Sequence, residues 1–287
     1  MFLLLFLAIA LGAGALASIL WTPWLFPVAF LGVFVLLILL ALAFLIIACN
    51  RVDKTKPQEG NSKFYRAISK HYIKNLMLLA RLKVHTQGLE KLPKDGRFLM
   101  VCNHLHELDP AMLLHVFPDS QLAFIAKQEI TNYFLIGSLL HKLQCQLINR
   151  ENDKEALRTI LKCIQIVKED QASVAVFPEG YCSVSGKLYH FRSGVFKIAQ
   201  KANVPVVVCT IRGTKDVLPR LKKLRASRVD VHLVDVIPAE QVKALSTVDL
   251  AELVYEKMIG DLGEHLRTDE KAVHPSLQRQ QLAQENP

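Results

Sequence analysis

Apolar residues fill positions 1–49 without one charged side chain, and beyond Arg51 the pattern breaks into short apolar runs separated by amphipathic stretches. Trp21-Thr-Pro-Trp24 divides the apolar segment into blocks 1–20 and 25–49. A bilayer core of roughly 30 Å takes about 20 helical residues to cross, so each block predicts a membrane helix. Proline and two tryptophans suit a tight turn at a membrane surface. A hairpin of this kind returns the chain to its starting side, and Arg51, Lys54 and Lys56 put that side in the cytoplasm. The competing reading is a single span behind a re-entrant first segment. A cleaved secretory signal is disfavoured, because no basic residue precedes the apolar run and the run continues past any small-residue cleavage site.

Between Arg51 and Lys83 there are nine Lys or Arg against Asp53 and Glu59 alone. Phe64, Ile68, Tyr72, Ile73, Leu76 and Leu79 fall near one helical face, with Lys63, Arg66, Lys70 and Lys74 mostly elsewhere. This predicts a basic amphipathic helix beside an anionic membrane. The bland alternative is a surface helix packed on the rest of the protein.

Farther on, helix-period and strand-like segments alternate. Strands are expected at residues 83–88, 98–101, 122–126, 145–149, 173–177, 204–211 and 229–236. Helices are expected from about Pro110, at 133–142, at 154–169, from about Gly194 and at 248–266. Alternation of this kind implies an α/β fold, a mixed, largely parallel sheet flanked by helices. The chain therefore divides into a membrane segment (1–49), a basic linker with an interfacial helix (50–83), an α/β domain (84–267) and a polar, flexible tail (268–287).

A formal net charge of +9 beside a lipid-embedded segment already has an anionic surface to meet, which disfavours nucleic acid as the partner. The six cysteines show no paired short spacing, so neither a zinc site nor a disulfide framework is expected.

Candidate chemistry gathers where strands should end. His104 and Asp109, in Asn103-His-Leu-His-Glu-Leu-Asp-Pro110, lie at a strand-to-helix turn. In α/β folds the carboxyl ends of strands border the ligand crevice. Asp109 before Pro110 also reads as a helix N-cap, a role compatible with orienting an imidazole. His104, His106 and Asp109 could instead form part of a metal site, although Glu107-Leu108-Asp109-Pro110 does not supply the remaining ligands. In Val176-Phe-Pro-Glu-Gly180, the flanking proline and glycine predict a turn that presents Glu179 rather than burying it. Arg150, Arg192 and, more weakly, Lys127 occupy strand or helix ends suited to phosphate recognition. Basic residues from Lys215 to Arg228 form a further anion-attracting stretch.

Asn103-His104 with Asp109-Pro110, then Arg150, then Phe177-Pro-Glu-Gly180, then Val204-Pro205 with Gly213-Thr214 resemble, in order and spacing, the four motif blocks of the glycerolipid acyltransferases. Among these the chain is most similar to the 1-acylglycerol-3-phosphate acyltransferases, which make phosphatidic acid. The resemblance runs through residues 76–214. It implies an integral membrane enzyme with its catalytic part on the cytoplasmic face, moving an acyl chain from a thioester to a glycerol hydroxyl. Acyl-CoA or acyl carrier protein would be the co-substrate, lysophosphatidic acid the acceptor, and no cofactor or metal would be bound. It also implies that His104 is the general base, that Asp109 orients it, that Glu179 and Gly180 bind the acceptor, and that Arg150 lies near the phosphate. Arg192 and Lys127 would be further substrate contacts.

The sequence departs from the common family pattern at four places. His106 stands where serine is frequent, Tyr181-Cys182 where Thr-Arg is common, Gln144 at a frequent glycine, and Val208 at a frequent second proline. The missing arginine after Glu-Gly leaves the acceptor open to glycerol 3-phosphate or another lysophospholipid. Two readings of different class are a metal-dependent membrane hydrolase using His104, His106 and Asp109, and a non-catalytic membrane scaffold.

Overall fold

The computed structural model describes residues 2–56, 58, 60, 62–149, 152–183 and 185–268. The amino-terminal apolar blocks are helices α1 (Phe2–Leu20) and α2 (Leu25–Asn50). At about 1.5 Å per residue their 19 and 26 residues span about 28 and 39 Å, enough for each to cross a bilayer core. Trp21 and Trp24, both largely exposed, form the turn between them. Helix α3 (Lys63–Leu79) lies across the open end of this hairpin. Its Asn75 Oδ1 accepts the N–H of Leu3, while the hydroxyls of Tyr65 and Tyr72 donate to the carbonyls of Ala48 and Ala41.

The amphipathic reading of α3 needs correction in detail. Ile68, with Tyr65 and Tyr72, packs on the hairpin, whereas Ile73 and Met77 pack under the sheet. Phe64, Leu76, Leu78 and Leu79 stay exposed. Arg66 is drawn inward to the carbonyls of Leu122 and Leu143, and its burial lowers the guanidinium to about 10. The helix is thus a joint between hairpin and sheet as well as a surface.

Seven strands follow among the described residues: β1 (Leu82–Gln87), β2 (Leu99–Cys102), β3 (Leu122–Lys127), β4 (Gln146–Ile148), β5 (Ser173–Val176), β6 (Val206–Arg212) and β7 (Ser227–Ile237). Their spatial order is β1-β7-β6-β2-β5-β3-β4. Strands β2 to β6 run parallel, with Leu99 opposite both Val174 and Val206, while β7 is antiparallel to β6 and carries β1 with it. The sheet is therefore mixed and largely parallel. Crossover helices are α4 (Asp109–Val116), α5 (Phe134–Lys142), α6 (Asp153–Lys168) and α7 (Lys197–Ala202), followed by α8 (Val217–Lys222), α9 (Ala239–Ala244) and α10 (Thr247–Leu262).

Each central strand is buried on both faces, which explains its unbroken apolar run. Leu99 and Val101 of β2 join a core with α6, α7 and α10, whereas Met100 and Cys102 join one with α3 and α4. Gln144, at the frequent glycine position, has φ 62°, the left-handed backbone that glycine adopts most easily. The expected helix from Gly194 is a 3-10 turn at Ser193–Phe196 leading into α7. The tail expected at 268–287 lies outside the described residues after Thr268.

Candidate active site

The five parallel strands end on one edge of the sheet, and that edge carries the expected residues. Past β2, Asn103 continues the strand's bonding with its side chain, donating to the carbonyl of Ile211 at 3.0 Å and accepting its N–H at 2.8 Å. This clamp fixes the next residue, His104. Its Nδ1 lies 2.8 Å from Asp109 Oδ2, with the carboxylate wholly buried and the imidazole 16% exposed. A carboxylate only accepts, so in the neutral ring Nδ1 carries the proton and Nε2 is left as the acceptor.

Asp109 does not cap α4. The helix begins at Asp109, and no side chain caps it. The carboxylate turns back instead, so that Oδ2 also accepts the N–H groups of Leu105 and His106 at 2.6 and 2.8 Å. Three donors on one oxygen hold the loop and the ring together, while Oδ1 is buried with no hydrogen-bond partner among the described residues.

Glu179 also departs from the expectation. Its turn does not present the carboxylate, which is only 3% exposed. Oε1 accepts the N–H of His104 at 2.9 Å, and Oε2 accepts that of Tyr189 at 3.0 Å. Burial pushes the acid up to about 8 against the pull of these two amides, and Asp109 nearby adds to the rise. A carboxylate that bonds two buried amides braces the site and has no oxygen facing outward.

Gly180 has φ 83°, and a Cβ there would come 3.1 Å from Arg192 Nε. Glycine thus lets the guanidinium lie against the turn. Arg192 and Lys127 both stand over the ring of Tyr181, at 5.8 and 5.2 Å from its centroid, so two exposed cations share one aromatic ring, on the residue before Cys182. Arg150 lies outside the described residues. His106 Nδ1 accepts the N–H of Leu108, which turns it back on its own loop, and no group of three His, Cys, Asp or Glu is set to hold a metal among the described residues.

Three contacts of His104 were not expected from the sequence. Phe177 stacks on the imidazole with centroids 4.1 Å apart. Ser183 N–H donates to the His104 carbonyl at 2.7 Å. Cys182 Sγ lies 3.0 Å from Nε2. Phe177 and Gly180 also line a shallow groove open to solvent, together with Ile125, Ile160, Val195 and Arg192. An acceptor nitrogen oriented by a buried carboxylate can deprotonate an alcohol, and the two cations on Tyr181 can meet an anionic group.

Residues 83–212 match the acyltransferase family model. The chain is 32% identical over 179 residues to a probable 1-acyl-sn-glycerol-3-phosphate acyltransferase of Mycoplasma pneumoniae, covering 61% of this chain and 64% of that protein. To a chloroplastic 1-acyl-sn-glycerol-3-phosphate acyltransferase of Brassica napus it is 34% identical over 158 residues, covering 55% of this chain and 45% of the relative. To the 1-acyl-sn-glycerol-3-phosphate acyltransferase of Saccharomyces cerevisiae it is 27% identical over 192 residues, covering 66% and 63%. The chain thus spans between about half and just under two thirds of the length of these relatives. Its fold is shared with the crystal structure of the 1-acyl-sn-glycerophosphate acyltransferase of Thermotoga maritima, at a TM-score of 0.59 and 22% identity over 77% of this chain and 87% of that one.

Proposed function

We propose that this chain, whose residues 83–212 are an acyltransferase-family domain, is a membrane-bound enzyme that transfers a fatty acyl group from a thioester to the free hydroxyl of 1-acylglycerol 3-phosphate, giving phosphatidic acid. The observation that carries this reading is the His104–Asp109 pair, 2.8 Å apart, at the carboxyl edge of the parallel strands. His104 is the base that takes the hydroxyl proton, and Asp109 fixes its tautomer and stabilises the ring when it becomes charged. A thioester is already activated, so the reaction asks only for a base, proximity and a bound acyl chain. The apolar groove lined by Ile125, Ile160, Val195 and Phe177 offers a place for that chain.

Arg192 and Lys127 bind the acceptor's phosphate, and Arg150 belongs to the same set by its place in the family motif. Glu179 serves acceptor binding through its hold on His104, and Gly180 through the room it leaves for Arg192. The hairpin anchors the chain, with the α/β part on the cytoplasmic side and the exposed Phe64, Leu76, Leu78 and Leu79 of α3 meeting the anionic surface among its lysines. The donor is acyl-CoA or acyl carrier protein.

The test is incubation of the detergent-solubilised full chain with labelled acyl-CoA or acyl carrier protein and a panel of acceptors: 1-acylglycerol 3-phosphate, glycerol 3-phosphate and neutral lysolipids. Products are identified by mass spectrometry. Phosphatidic acid as the main product, lost in His104→Ala, is the expected result; wild-type activity in that variant eliminates the mechanism. Protease protection in sealed vesicles checks the cytoplasmic orientation.

A further inference from the structure

The basic stretch from Lys215 to Arg228 lies outside the site described above, with six Lys or Arg against Asp216 alone. It forms the return from β6 to β7 through α8, and β7 runs antiparallel to β6 with Asp230 opposite Arg212. The return therefore sits on the edge of the sheet where the parallel strands end, the edge that carries His104. At one end Lys215 Nζ comes within 3.5 Å of the place a Cβ on Gly186 would take, in the turn whose Ser183 N–H donates to the His104 carbonyl. At the other end Arg81, two residues past α3, donates to the carbonyl of Leu224 at 2.8 Å.

Apolar side chains are set among these cations. Leu224 is 76% exposed, more than any other large apolar side chain outside the hairpin among the described residues, and Leu218 is exposed as well. Leu224 also has φ 54°, a left-handed backbone that is costly for a leucine. A leucine held there and left open adds little to the core. Arg228 is paired with Asp230, and Arg220 donates to the carbonyl of Ala226. Lys222, Lys223 and Arg225 are exposed, with no acidic partner among the described residues. Through Arg81 the surface continues to the exposed Leu78 and Leu79 of α3. Asn75 of the same helix accepts the N–H of Leu3, and the rings of Phe2 and Tyr72 lie 5.2 Å apart, so the patch is joined to the end of the hairpin at which α1 begins.

We propose that this return, with the last turn of α3, is a docking surface for an anionic bilayer, in which Leu218 and Leu224 enter the headgroup layer while Lys222, Lys223 and Arg225 meet lipid phosphates. Leucines flanked by cations match an interface that is apolar within and negatively charged at its surface. An acidic soluble protein would account for the cations but not for their continuity with the hairpin. The contact rests on the membrane-bound reading above and adds a second attachment to it, on the sheet itself. A single anchor leaves the sheet free to tilt over the membrane. Two attachments hold the edge bearing His104 against the surface in which a lipid acceptor lies.

The experiment places the full chain in lipid nanodiscs of phosphatidylcholine alone or with about 30% phosphatidylglycerol. Trp21→Phe and Trp24→Phe remove the two native tryptophans, and Leu224→Trp supplies a fluorescent probe, with Leu218→Trp as a second probe on ordinary backbone. The expected result in anionic discs is emission at shorter wavelength and quenching by dibrominated phosphatidylcholine, both much weaker in neutral discs. Adding Lys222→Gln, Lys223→Gln and Arg225→Gln together is expected to abolish most of the quenching while the chain stays in the disc. Absence of quenching at both probes in anionic discs overturns the docking surface, and phosphatidic acid made in the same discs leaves the acyltransferase reading standing. Equal quenching in both discs and in the triple variant overturns the role of the cations. A probe that ignores lipid but responds to acyl carrier protein assigns the surface to that protein and overturns the proposal as well. A chain that enters neither disc overturns the membrane reading together with it.

Discussion

One oxygen of the Glu179 carboxylate accepts the backbone N–H of His104 at 2.9 Å, and the other accepts that of Tyr189 at 3.0 Å. The residue that its proline and glycine neighbours would turn toward a ligand instead fixes the segment that carries the imidazole. Glu179→Ala leaves two buried amides without acceptors, at about 1–3 kcal/mol each. Urea denaturation is expected to show a loss of that size, together with reduced kcat through a displaced His104. Glu179→Gln, which keeps one acceptor oxygen, is expected to lose less of both.

The same carboxylate sets a pH dependence. Its acid is raised from an ordinary 4.5 to about 8 in the folded chain, so the folded state holds a proton that the unfolded state has released. That contribution to stability is complete below about 4.5 and is lost as pH rises through about 8. Thermal midpoints measured from pH 5 to 9 should fall with pH more steeply in the wild type than in Glu179→Gln. Equal slopes would show that the group ionises normally.

Asp109→Asn tests the orienting carboxylate. Asp109 Oδ2 accepts from His104 Nδ1 and from the amides of Leu105 and His106, and an asparagine oxygen can keep part of that set without the charge. Turnover is expected to fall by about 10²–10⁴-fold while far-ultraviolet circular dichroism stays native. Retained turnover would mean that the ring is positioned without it.

Arg192→Ala and Lys127→Ala separate binding from chemistry. Loss of a charge-assisted contact of about 1.5–3 kcal/mol corresponds to a rise in KM of about 10–100-fold for a phosphate-bearing acceptor. The larger effect is expected at Arg192, which lies against Gly180. Little change is expected in kcat or in the KM for a neutral lysolipid, and equal effects on both acceptors would argue against a phosphate contact.

Gly213, in the last motif block, has φ 85°, and a Cβ there would approach Arg228 O to 2.4 Å. Gly213→Ala is therefore expected to destabilise the fold by about 1–3 kcal/mol, read as a lower thermal midpoint, with no specific change in acceptor preference.

Legibility in the sequence followed the range of the forces involved. The apolar strand of residues 98–101 became Leu99–Cys102, and the amphipathic 154–169 became Asp153–Lys168, because burial on one or two faces leaves a period in the sequence. The short helices Val217–Lys222 and Ala239–Ala244 went unread, since six residues give too few turns for a period to show. His104 and Asp109 were legible because they lie five positions apart in a single loop.

By itself the chain's pattern determined two apolar helices, an alternating α/β core and a histidine with its carboxylate at a strand end. Tertiary structure alone decided the inward turn of Glu179, the clamp of Asn103 on Ile211 and the placing of Cys182 Sγ against His104, contacts made across 75, 108 and 78 positions of chain. Periodicity records which face of an element is buried, but it does not record which distant loop arrives there. That depends on strand order and on where the packed sheet brings the loop ends together.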